Sequence, residues 1–62
     1  MSDLNNSTSQ FSDLLESFND NITKFNEKGT AAAGKRARKD LLNIQKLCKS
    51  TRVDILTTMK NQ

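Results

Sequence analysis

The chain has 62 residues, with ten Lys and Arg against seven Asp and Glu, one cysteine, no histidine and no proline. These counts exclude an internal disulfide and remove the commonest metal ligand and acid–base side chain. So short a chain buries little surface alone, and without disulfide or metal its remaining route to stability is association with a further chain.

No apolar run nears the roughly 20 residues of a membrane span. The polar, acidic start from Met1 is unlike a signal or transit peptide, and the lone cysteine fits a reducing compartment. An intracellular or virion-interior protein is therefore expected. The net charge of +3 conceals an asymmetry. Residues 1–27 carry five carboxylates against Lys24, net −4, whereas residues 28–62 carry nine cations against Asp40 and Asp54, net +7.

Taken in order, residues 1–8 have little to bury and are expected to lack structure. Ser7 followed by Gln10 has the form of a capping box, which starts a helix near Ser9. Phe11, Leu15, Phe18, Ile22 and Phe25 then recur at 4, 3, 4, 3, a heptad seam, with Leu14 widening it and Asp13, Glu16 and Asp20 turned to water. Gly29 closes this helix in the left-handed conformation, and Thr30 is placed to cap the next. The second helix, over residues 31–59, has its own seam at Ala37, Leu41, Ile44, Cys48, Thr51 and Ile55, flanked by Leu47 and Met59. The small residues Ala33, Gly34 and Ala37 near the turn let the helices approach, with Phe25 over them.

The pattern predicts an all-α fold: residues 9–60 as an antiparallel hairpin of helices 9–28 and 31–59, associating into a dimeric or higher bundle. The second helix is expected to outrun the first by several turns. Leu42, Val53 and Leu56 fall off its seam and add apolar surface for a partner chain.

Nothing in the chain points to catalysis, a cofactor, a metal or a small-molecule substrate. Cys48 reads as a small buried hydrophobe. The Gly29–Gly34 stretch lacks the Gly-Lys-Ser/Thr ending of a phosphate loop. The cations are the informative feature. Lys35, Arg38, Lys39, Lys46 and Lys49 share one broad helical face, with Arg52 at its margin, Lys60 beyond, and Arg36 pointing towards Asp40. Such a face meets a phosphate backbone by charge, and arginines add bidentate contacts. The plainer alternative is a solvated face with internal pairs such as Arg36–Asp40. Phe11, Phe18 and Phe25 are committed to the seam, so base stacking and sequence readout are not expected.

Lys24-Phe25, Lys28-Gly29-Thr30-Ala31-Ala32, Gly34, Arg36, Arg38-Lys39, Leu42, Lys46-Leu47, Lys49, Arg52 and Asp54-Ile55 together resemble the chlamydial linker-histone-like nucleoid proteins and their relatives in other bacteria and large DNA viruses. The resemblance covers about half of the chain. It implies double-stranded DNA binding and compaction without catalysis, with Lys35, Arg36, Arg38, Lys39, Lys46, Lys49 and Arg52 as phosphate contacts, and Lys28 is a further DNA-binding candidate. Chlamydial members carry a Lys/Ala-rich tail that has no counterpart before Gln62, so several hairpins are expected to act together. The location implied is a bacterial nucleoid or, for a virus, the virion interior, the host nucleus or a viral factory. A protein-interaction module that self-associates without touching nucleic acid is the competing reading. A membrane-surface helix is disfavoured by the modest apolarity and the absence of Trp.

Overall fold

The computed structural model describes residues 4–61. They form helix α1 over Leu4–Lys28 and helix α2 over Ala31–Lys60, packed on each other, with no strand among the described residues. Ser17 meets Asp40, and Phe25 lies over Gly34. These pairs make the two helices an antiparallel hairpin, as the heptads and the short turn predict.

The turn forms as expected at Gly29 and differently at Thr30. Gly29 has a φ of +62°. Its N–H donates to the Phe25 carbonyl at 2.8 Å, closing α1 in the left-handed conformation. Thr30 sits at the N-cap of α2 with extended backbone, but its hydroxyl makes no capping bond. Its carbonyl instead accepts from Gly34 N–H at 3.2 Å, so only the backbone half of the cap is used.

Helix α1 begins at Leu4 rather than near Ser9. The expected capping box does not form: Ser7 lies inside the helix and is buried, and Thr8 Oγ1 donates to the Asn5 carbonyl at 2.8 Å. Of the segment 1–8, residues 4–8 are helical and residues 1–3 lie outside the described residues. The cause is the heptad itself, which continues upstream through Leu4 and Ser7. The far half of α2 gives these residues a surface to lie on, and packing overrides weak helix propensity. The helices are therefore nearly matched, 25 residues against 30, a difference of about one and a half turns.

The seam is rotated from expectation by one residue at every second position. Phe11, Phe18, Ala37, Ile44 and Thr51 face the opposite helix as predicted. Between them stand Leu14 and Asn21 instead of Leu15 and Ile22, and Asp40, Leu47 and Asp54 instead of Leu41, Cys48 and Ile55. The rotation is stabilised by a polar cluster. Asp40 Oδ2 accepts from Ser17 Oγ at 2.9 Å and from Asn21 Nδ2 at 3.0 Å, and Asn21 Oδ1 accepts from Arg36 Nε at 3.0 Å. Each group answers another, so Asn21 tolerates being only 8% exposed. Thr51 Oγ1, further along the seam, is buried without a hydrogen-bond partner.

The consequence is a hairpin with almost no core of its own. Among the described residues the buried apolar ones are Ala33 and Ala37, at 0% and 3% exposure. Leu15, Ile22, Phe25, Leu41, Leu42, Val53, Ile55, Leu56 and Met59 are exposed, as is Cys48. The expectation that Leu15, Ile22, Leu41, Cys48 and Ile55 fill the intrachain seam is thereby corrected. The hairpin is a slab, 49 × 15 × 11 Å between Cα extremes. Its accessible surface is 5129 Å². A compact monomer of this mass would expose roughly 4000 Å².

Candidate nucleic-acid interface

The side of α2 turned away from α1 carries Lys35, Lys39, Leu42, Lys46, Lys49, Val53, Leu56 and Lys60, spaced 4, 3, 4, 3, 4, 3, 4. At 100° per residue this is one continuous stripe along the narrow edge of the slab. All eight residues are exposed. Arg38 and Arg52, also exposed, lie beside the stripe towards one broad face, and Lys46 borders a groove on the other broad face with Gln10 and Asn43. Lys35 to Lys49 spans roughly 21 Å of helix, the length of about six base pairs.

Arg36 departs from this group. Its guanidinium is spent on Asn21 across the hairpin, at 3.0 Å, and no direct Arg36–Asp40 pair is among the hydrogen bonds of the described residues. Asn21 stands between them and bonds both. Arg36 is therefore tied to the seam, though the residue remains exposed. Lys28 sits exposed at the last turn of α1, beside the elbow, where its charge complements the helix dipole.

The opposite edge of the slab carries the other sign. Ser9, Asp13, Glu16, Asp20, Thr23 and Glu27 recur on α1 at 4, 3, 4, 3, 4, and all are exposed. Asp13, Glu16 and Asp20 line a shallow polar hollow with Lys24. The hairpin thus has an acidic edge and a basic edge on opposite sides. The two edges therefore present fields of opposite sign to the solvent.

The fold brings Lys35, Arg38, Lys39, Lys46, Lys49 and Arg52 into one neighbourhood and leaves Lys28 near its end. Sequence reasoning missed the Ser17–Asn21–Asp40–Arg36 cluster. No sequence signal reveals it, because the apolar heptad runs through Ile22 and Leu41, and Asn21 and Asp40 stand one residue before each. Among the described residues no group of acidic or sulfur side chains is arranged to hold a metal. No described helix is long and apolar enough to cross a membrane.

The model of the family described as histone H1-like protein Hc1 matches residues 5–61. The chain belongs to the Hc1 family. The resemblance read from Lys24 to Ile55 therefore points to the right family, and the match extends over both helices and the turn. No match is found among curated proteins or among solved structures. The matched segment takes in nearly the whole of the described hairpin.

Proposed function

We propose that this Hc1-family chain is a non-enzymatic DNA-binding and DNA-compacting protein. It holds double-stranded DNA through phosphates along the outer edge of α2, with little regard for sequence. Lys35, Arg38, Lys39, Lys46, Lys49 and Arg52 make the contacts, Lys28 adds to them at the elbow, and Arg36 contributes less because it is tethered to Asn21. The observation that carries this reading is the separation of charge onto two edges of one hairpin, in a chain whose family is histone H1-like. The site of action is a nucleoid, or the packaged genome of a virus.

The test is a titration with two duplexes of unrelated sequence over a salt series. Both should bind alike, and log K should fall linearly with log salt, with a slope near −0.9 per phosphate neutralised, or about −5 for six contacts. Replacing Lys39 and Lys46 by Gln should make the slope shallower by about 2 and weaken both duplexes equally. Affinity that ignores salt would end the proposal.

A second reading has its own observation. The exposed Leu15, Ile22, Leu41 and Ile55 favour a self-associating interaction module. A stable oligomer with negligible DNA affinity at physiological salt would select it over the first. The two are compatible, since a homo-oligomer multiplies the basic edge.

A further inference from the structure

Both carboxylates of α2 are turned towards α1. Asp40 accepts from Ser17 and Asn21, and Asp54 stands on the seam, half-buried. The outer edge of α2 therefore carries its cations with no carboxylate among them. It also carries hydrocarbon. Leu42, Val53 and Leu56 are each 56% exposed on that edge. None of the three lines the apolar groove between the helices. Apolar residues scattered over a surface are ordinary, but three aligned along the most basic edge of a molecule mark a contact.

Leu42 has the most defined setting of the three. By helix period it lies at the middle of the edge, with cations on both sides. Lys39 and Lys46 stand roughly 60° and 40° to one side of it, and Arg38 and Lys49 roughly 40° and 20° to the other. Leu42 and these four cations are all exposed. The arrangement is an apolar ridge between two cationic rows. It runs for roughly 17 Å of helix from Arg38 to Lys49, the rise of about five base pairs.

Such a ridge is mismatched to the outside of a duplex. There Leu42, at the centre of the contact, would be pressed onto phosphate oxygens, which hold their water tightly. A groove suits it better. The minor groove, about 6 Å wide, is too narrow for a helix of about 10–12 Å with its side chains, whereas the major groove, about 12 Å wide, admits one. In the major groove the two cationic rows face the two phosphate walls. The ridge faces the floor, where the C5-methyl of thymine is the apolar group on offer. Helix α1 lies behind α2, and its acidic edge is on the far side of the hairpin, away from both walls.

We infer that α2 beds its outer edge in the major groove of double-stranded DNA, with Leu42 on the groove floor against thymine methyl groups. Lys39 and Lys46 hold the phosphates of one wall, and Arg38 and Lys49 those of the other. The inference rests on the DNA-binding reading and adds where on the duplex the chain sits. Leu42 brings no hydrogen-bonding group, so it reads no order of bases and favours thymine content alone. Duplexes of unrelated sequence and equal thymine content still bind alike. One methyl group taken out of water is worth about fourfold in affinity.

Three duplexes of one sequence test this in titrations of the full chain. The first is unmodified, and the second has uracil for every thymine. The third carries a glucosylated hydroxymethyl group on C5 of its cytosines, which fills the major groove and leaves the phosphates unchanged. Uracil should weaken binding about fourfold, and glucosylation by about tenfold or more. Leu42→Ala should bind the thymine and uracil duplexes alike and keep the wild-type salt slope, since Ala at an exposed helix position preserves the helix. Equal affinity for the glucosylated duplex overturns the groove seating and leaves salt-dependent phosphate binding intact. A thymine preference that is absent, or that survives in Leu42→Ala, overturns the role of Leu42. If Leu42→Ala instead lowers the mass of the DNA-free chain, or weakens binding to phosphatidylserine vesicles while sparing the duplexes, the edge belongs to a second copy or to a lipid surface and the inference falls. Absence of salt-dependent binding to the unmodified duplex refutes the DNA-binding reading itself, and the groove seating with it.

Discussion

Gly29 is the residue on which the reversal depends. Its φ is +62°, and a Cβ built there meets nothing within 4 Å. In that left-handed backbone a Cβ costs roughly 1–2 kcal/mol. The cost of Gly29→Ala is therefore backbone strain alone. Thermal unfolding should show a loss of about 1 kcal/mol, with Gly29→Asn losing less because Asn accepts the left-handed region more readily. Gly34 is constrained for a different reason. A Cβ there would lie 2.9 Å from the Phe25 ring, so this glycine sets how closely the helices approach at the elbow.

At the scale of the helices, the polar cluster decides the rotation of the seam. Asp40 accepts from both Ser17 and Asn21 with one oxygen. An amide oxygen can do the same, so Asp40→Asn should leave the helicity and melting temperature nearly unchanged. Asp40→Ala strands two donors and should cost about 1–3 kcal/mol in denaturant unfolding followed by circular dichroism. The helices themselves were legible in the sequence, because seven-residue periodicity and a Gly-Thr turn between apolar runs leave few alternatives. So were Phe11, Phe18, Ala37, Ile44 and Thr51, whose size and spacing suit a close seam. The intervening positions were not legible. An apolar-inward rule puts Ile22 inside and Asn21 outside, and it fails where polar groups satisfy one another across a gap narrowed by Ala33, Gly34 and Ala37. The basic stripe was legible because it needs only helix period and charge. The tether on Arg36 was not, since it needs the partner helix to be in place.

At the scale of the whole molecule, the two alanines in the seam are the only buried apolar side chains among the described residues. So thin an interior stabilises a lone hairpin poorly, and folding should be linked to association. The melting temperature is expected to rise with protein concentration, as it does wherever the native state alone binds its partner. Scanning calorimetry over a hundredfold concentration range checks this; a constant midpoint would mean that the monomer is self-sufficient. The apolar side chains that fail to fill the hairpin gather mainly on a single broad face. Leu42, Val53 and Leu56 lie outside that face, exposed between the lysines of the outer α2 edge, so whatever settles on that edge must also dehydrate hydrocarbon.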